Sequence, residues 1–524
     1  MCGTSTSSAP DLPDLIDLII RPGRSSLVDS DSEELLIREV GAASGRIGKD
    51  TITDPYRLRG ALYRAQQAEP GQLLVSVNQE SGRLDALDWP QVAQLPGSLA
   101  LGAAGEPELA KMAGLAVAGQ LRALGLTWNL APVCDLAARP AASAVGTRAF
   151  GSDPEKVATL AAAYVRGLQR GGVAATAKHF PGLGGIAADP HDTAPVADRL
   201  TPGALLPFQA AVEAGVACVM VGSHTVRALD DRPALASQRV IRLLRDQLGF
   251  EGVVVSENLS IPSVNEPFGG LAEAAVAAVA AGVDLVMLDS EVSRGGQDFT
   301  QRARAIRRRA AVAQALAGAV SGGRIGRGRV EESAKRVLVL RRRFGLCPGT
   351  ARPAWEEANA AAERAAERIA TASVATVRGS HLLPLNATDA VAAVRVPDTR
   401  QRRADSARLA PDLLPAALGA HRPVLPATAG AVLPYGVGAV VIYGYDTRTA
   451  DGGSAASTEA ARWAGRGRTI VQVALGDPDD LAGSPADVLV AAFSPHRFST
   501  EAVAAMLLGH GHSYARVPVR GATW

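Results

Sequence analysis

The sequence predicts an α/β protein: a (β/α)8 barrel of the TIM type followed by a smaller α/β sandwich domain. Three observations lead there. From about residue 70 onward, short apolar runs alternate with Ala-rich helical stretches, the rhythm of a parallel sheet wrapped by helices. The runs are continuous rather than alternating, as expected of strands buried on both faces. They also end, one after another, in side chains with chemistry: Asn78, Gln79 and Glu80; Asp135; Lys178 and His179; Ser223 and His224; Glu257 and Asn258. In a barrel those carboxyl edges meet at one mouth, where active sites form. An open, doubly wound sheet is the competing arrangement, but no GxGxxG follows the first strand.

The elements follow in order. Strands are expected at "LLVSVNQ" (73–79), "LTWNLAPV" (126–133), "AATAKHF" (174–180), "CVMVGSH" (218–224), "GVVVSEN" (252–258) and "DLVMLD" (284–289). Helices are expected over 106–124, 154–170, 203–214 and 270–281, the second with Asp153 as N-cap and Pro154 in its first turn. This first domain is assigned residues 1–345. Residues 346–366, with Pro and Gly before a charged Ala-rich stretch, read as a linker. Residues 367–524 form the second domain, with strands at "ASVATVRG", "DAVAAVRVP", "AVVIYGY", "RTIVQVALG" and "DVLVAAFS". Their ends are poor in paired ionisable groups, so an independent active site is not expected there.

Composition narrows the function. The 524 residues carry a formal net charge of +2 with 20% charged residues, which gives no electrostatic footprint for nucleic acid or an acidic membrane. The Arg clusters "RARAIRRR" and "VLRRRFG" read as solvated helix faces. Four scattered cysteines without CxxC spacing argue against a disulfide framework or a zinc site. No apolar run is long enough for a transmembrane helix. A cytoplasmic enzyme is the expectation. The alternative is a chain lipid-anchored through Cys2, if a leader once preceded it.

The densest polar stretch is "AKHFPGLGGIAADPHDTAP", residues 177–195. A strand ends at Lys178 and His179, and a Gly- and Pro-rich loop then carries Asp189, His191 and Asp192. Two positions apart, the Asp189 carboxylate can orient the His191 imidazole and raise its basicity, a general acid/base for neutral pH. A turn in which Asp189 caps backbone amides before Pro190 explains the same residues.

This loop, read as KHFPG.G....D.H...P, resembles the hallmark of the bacterial β-N-acetylglucosaminidases of glycoside hydrolase family 3. "NQESGRL", "LPGSLALG", "NLAPVCDL", "GTRAFGSDP", "GFEGVVVSEN" and "AKRVLVLRRRFGL" are similar to other family segments, in the same order. "GSHLLPL" and "ARVPV" resemble landmarks of the family's second domain. The resemblance implies an exo-acting, retaining glycosidase with a carboxylate nucleophile. Glu257 falls at the nucleophile, His191 at the acid/base and Asp189 at its partner. Asn78, Arg83, Asp135, Arg148, Lys178, His179 and His224 fall at sugar-binding positions. The implied partner is a small carbohydrate or amino-sugar glycoside; no cofactor or metal is implied.

The sequence departs from the family at several points. Glu257 stands for aspartate, Asn258 for aspartate or tryptophan, Asn78 for aspartate, Ala86 for arginine, Leu183 for histidine and Pro190 for serine. These changes are expected at the sugar-binding face. They leave two readings: an active glycosidase, or a catalytically weakened carbohydrate-binding homologue.

Overall fold

The computed structural model describes residues 10–20, 55–68, 74–137, 143–187, 193–288, 299–346, 349–387, 390–399, 412–449, 453–511 and 514–519; of 61, 65–68 and 299–306 it describes the backbone alone. In the first domain, parallel strand positions adjoin in chain order. Ser76–Val77 pairs with Trp128–Asn129, and Trp128 bridges to Ala174. Thr176–Phe180 pairs with Cys218–Val221, which pairs with Val253–Ser256, and Val255 bridges to Leu285. Each of the six segments expected from the sequence contributes to this row. The helices between them include Pro107–Leu124, Pro154–Arg170, Leu206–Glu213 and Leu271–Ala281, close to the expected ranges. Asp153 caps the second through hydrogen bonds from the Glu155 and Lys156 amides. The domain is TIM-barrel-like in strand order and wrapping. Among the described residues, however, the sheet has six positions, not eight, and no pairing joins the last to the first. The sequence itself offers only six such runs there.

The strands divide two apolar cores. Val219, Val221 and Val254 face the surrounding helices. Trp128, Cys218, Met220, Val253 and Leu285 face the other side, where Val337, Leu340 and Phe344 of the helix Arg327–Phe344 cover them. This double burial is why the runs read as continuous. Cys134 and Cys218 are buried free thiols. No helix among the described residues is long and apolar enough to cross a membrane.

The second domain is a six-stranded sheet with helices on both faces. Its order is Ala375–Arg378, Val488–Ala491, Thr469–Ala474, Val437–Gly444, Ala390–Arg395, Val424–Thr428; only the first is antiparallel. The two domains interlock. The stretch read as a linker contains the start of a helix, Trp355–Ser373, whose Trp355, Ala358, Ala362 and Ile369 join the first domain's core. Conversely, Leu99, Ala100 and Ala103 of the helix Ser98–Ala104 join one core of the second sheet.

Candidate active site

The polar strand ends form three hydrogen-bonded groups at the carboxyl edge of the first sheet. Glu80 is the centre of the first. Its carboxylate accepts hydrogen bonds from Arg148 Nε and Nη2 at 2.7 and 2.8 Å, and it lies 2.5 Å from Lys178 Nζ. Burial alone would raise this carboxyl, but the charges of Arg148 and Lys178 outweigh it and hold it at about 2. Lys178 in turn donates to Asn78 Oδ1 at 3.1 Å. Burial, only partly countered by Glu80, keeps Lys178 below the ordinary lysine range.

A second group adjoins the first. His179 Nδ1 lies 2.8 Å from Asp135 Oδ2, and the His179 amide donates to the same oxygen at 3.1 Å. Asp135 Oδ1 accepts from the Leu183 amide at 2.7 Å, which ties the Gly-rich loop to this carboxylate. Burial would raise Asp135, yet His179 and the Leu183 amide hold it low. The loop packs too closely for side chains at Gly184, where a Cβ would fall 1.8 Å from the Leu136 carbonyl oxygen.

Glu257 follows the strand Val253–Ser256 and is 7% exposed. Its Oε2 accepts two hydrogen bonds from Ser223, from the amide at 2.7 Å and the hydroxyl at 2.6 Å. Its Oε1 receives none among the described residues. His224 is fully buried and is pushed down to about 4, because desolvation exceeds the attraction of the nearby Asp135 and Glu257 carboxylates. At neutral pH it is an uncharged imidazole within the influence of two acids. Among the described residues, Glu257 is thus held through one oxygen, while Lys178 and Arg148 are both paired with Glu80. No group of three or more His, Cys, Asp or Glu side chains among the described residues is placed to hold a metal.

Residues 33–340 match the model of the glycosyl hydrolase family 3 N-terminal domain. The chain belongs to glycosyl hydrolase family 3. A beta-hexosaminidase of Thioalkalivibrio sulfidiphilus is 41% identical over 228 residues, which are 41% of this chain and 65% of that protein, just under two thirds. A beta-hexosaminidase of Photobacterium profundum is 35% identical over 240 residues, 45% of this chain and 71% of that protein. Among solved structures, a family 3 beta-N-acetylglucosaminidase from Paenibacillus sp. str. FPU-7 superposes with a TM-score of 0.82 at 28% identity, covering 98% of this chain and 99% of that one.

Seven of the ten residues expected at a family 3 site lie in these groups or against them: Asn78, Asp135, Arg148, Lys178, His179, His224 and Glu257. Arg83 does not. Its guanidinium turns away to Asp446 of the second domain, at 2.7 Å, with both side chains buried. Asp189 and His191 lie outside the described residues. Sequence reasoning passed over Glu80 and Ser223 as site residues, although both stand at the polar strand ends that mark the site. The departures from the family pattern do not all face the sugar side. Leu183 is buried in an apolar cluster with Val133, Val145 and Ile186, and Ala86 is in the main core. A histidine in the Leu183 surroundings would be desolvated; leucine is what they suit.

Proposed function

We propose that the protein is an exo-acting, retaining β-N-acetylglucosaminidase, acting in the cytoplasm on a small amino-sugar glycoside. Residues 1–345 would form a complete (β/α)8 barrel, with 346–366 connecting it to the domain at 367–524. Glu257 attacks the anomeric carbon as His191, oriented by Asp189, protonates the departing glycosidic oxygen. The resulting glycosyl ester is then cleaved by water, which gives its proton back to His191. Arg148 and Lys178 donate hydrogen bonds to the ring hydroxyls, Asn78 and His179 exchange hydrogen bonds with them, and Asp135 fixes His179. The observation that carries the reading is the Glu257 carboxylate, held at a strand end by Ser223 through one oxygen beside uncharged His224. The family relatives named as hexosaminidases support the choice of sugar.

The test is a panel of 4-nitrophenyl glycosides headed by the N-acetyl-β-glucosaminide. Release of nitrophenol by the native chain, lost in Glu257→Gln, is the expected result, since a neutral amide cannot form the ester intermediate. Silence of the native chain across the panel would favour a carbohydrate-binding homologue instead.

A further inference from the structure

The carboxyl edge of the second sheet grips the first domain. Asp446 follows the strand Val437–Gly444, and His496 precedes the helix Arg497–Leu507 after the strand Val488–Ala491. In an open parallel sheet this edge is where ligands ordinarily bind. Here Asp446 instead accepts a hydrogen bond from Arg83 at 2.7 Å, with the two side chains 3% and 4% exposed. The Arg83 guanidinium also lies over the Tyr445 ring, 5.4 Å from its centroid. His496 Nε2 is 3.1 Å from the Gly82 carbonyl oxygen and 3.3 Å from Asp85 Oδ2. A carbonyl oxygen only accepts, so Nε2 carries the proton and donates.

These contacts all fall on one hairpin, the strands Gln79–Ser81 and Leu84–Asp85. That hairpin carries Glu80, and Asn78 immediately precedes it. Its turn is strained. Ser81 has φ +72° and Gly82 φ +68°, and Gly82 packs so tightly on Gly97 that a Cβ would fall 2.6 Å from the Gly97 Cα. A buried non-glycine residue stays in the left-handed region only where its surroundings over-determine it. The second domain supplies part of those surroundings, through His496 on the Gly82 carbonyl and Asp446 on Arg83. It also buttresses the segment behind Arg148, the other partner of Glu80. The Ser152 amide donates to the Pro518 carbonyl at 3.1 Å, and Gly151 lies against Pro518.

We propose that Asp446 and His496 are positioning residues, which hold the Gln79–Asp85 hairpin from the second domain so that Asn78 and Glu80 present Lys178 and Arg148 to the sugar. The inference rests on the glycosidase reading, and it adds to it a role for the second domain. Arg83 then acts as the hairpin's anchor rather than as a ligand of the substrate.

The experiment uses the full chain with Asp446→Ala, His496→Ala and His496→Gln. It reads kcat and KM on 4-nitrophenyl N-acetyl-β-glucosaminide, together with backbone hydrogen exchange of the hairpin. The two alanine variants should raise KM by about tenfold with kcat changed much less, because they loosen groups that hold the sugar and leave the reacting atoms in place. Exchange should quicken over 79–85 and stay unchanged in the strands Cys218–Val221 and Val253–Ser256. His496→Gln keeps a donor toward Gly82 and should restore KM. If Asp446→Ala does not fold, Arg83→Met with Asp446→Leu removes the pair without stranding a buried charge, and the same KM rise is expected. Unchanged KM in folded variants, or unaltered hairpin exchange, overturns the proposal. Should the native chain cleave no glycoside, the proposed function fails, and hairpin exchange alone decides whether the clamp exists.

Discussion

Ser223 gives both of its donors to one oxygen of Glu257, the amide at 2.7 Å and the hydroxyl at 2.6 Å. Both donors fall on Oε2, and Oε1 receives no hydrogen bond among the described residues, so in the proposed mechanism Oε1 is the attacking atom. The amide follows from the backbone and survives substitution; the hydroxyl does not. Hydrogen bonds to charged groups are worth about 1.5–3 kcal/mol. Ser223→Ala should therefore lower stability by about that amount and, if the bond orients the attacking carboxylate, lower kcat by roughly tenfold or more. Steady-state kinetics on a nitrophenyl glycoside check this, and an unchanged kcat would mean the amide alone suffices.

Glu80→Gln should be far more damaging, and to stability first. The substitution removes the carboxylate that faces both Lys178 and Arg148, so two cations in a buried setting lose their counter-charge. Removing one partner of a buried pair costs about 3–5 kcal/mol. An unfolding free energy from urea titration that falls by that amount, with Arg148→Met in the same background recovering part of it, is the expected outcome. A variant with native stability would show that Glu80 is dispensable to the network.

The pH dependence of folding should carry three signatures. Glu80 sits at about 2, below its ordinary 4.5, so its contribution is complete above 4.5 and is lost as pH falls toward 2. His224 sits at about 4, below 6.5, so the unfolded chain takes up the extra proton and stability falls from pH 6.5 down to 4. Asp477 runs the other way. Burial and the Asp479 charge push it up to about 6, so the folded state holds its proton longer, and stability falls as pH rises from about 4 to 6. His224 and Asp477 thus oppose each other across one window. Relative to the native chain, Asp477→Asn should gain stability from pH 4 to 6, by on the order of 3 kcal/mol. Urea titrations at several pH values measure the difference, and parallel curves for the two proteins would contradict it.

The clearest parts of the fold in the sequence are those whose side chains are buried on both faces. The runs at 218–224 and 252–258 announce their strands because every residue of Cys218–Val221 and Val253–Ser256 is buried. The edge strand Val424–Thr428 is absent from the expected strands for the converse reason. It is five residues long, largely exposed, and interrupted by Pro426, which an edge strand tolerates. The site is legible as a set of strand ends, but not as a set of pairings. Nothing near Arg83 in sequence signals that its partner is Asp446, in another domain. Glu80 is visible beside Asn78, and only the fold brings Arg148 and Lys178 to it. The linker reading over 346–366 follows Pro, Gly and charge. The burial of Trp355 and Ala358 depends on a facing helix, Pro107–Leu124, which local composition does not reveal.

Glu257→Asp decides how the site accommodates glutamate at the position proposed for the nucleophile. Family resemblance alone leaves two outcomes open. The shorter side chain restores an inherited geometry, or it falls short of a backbone fitted to glutamate. The Ser223 contacts favour the second. At 2.6 and 2.7 Å both donors are already at close range to the glutamate Oε2. Removing a methylene draws the carboxylate back toward the strand end, so it either loses Ser223 or keeps Ser223 and withdraws from the anomeric carbon. A misplacement of about 1 Å costs roughly 100-fold in rate. We therefore expect Glu257→Asp to lose about that factor in kcat, with KM much less affected because the Glu80, Lys178 and Arg148 network is untouched. Slow turnover of a 2-deoxy-2-fluoro glycosyl fluoride would let mass spectrometry locate the trapped ester on Glu257 in the native chain and on the substituted aspartate in the variant. Activity equal to or above native in Glu257→Asp would show that the pocket still fits aspartate, and that Ser223 follows the carboxylate rather than fixing it.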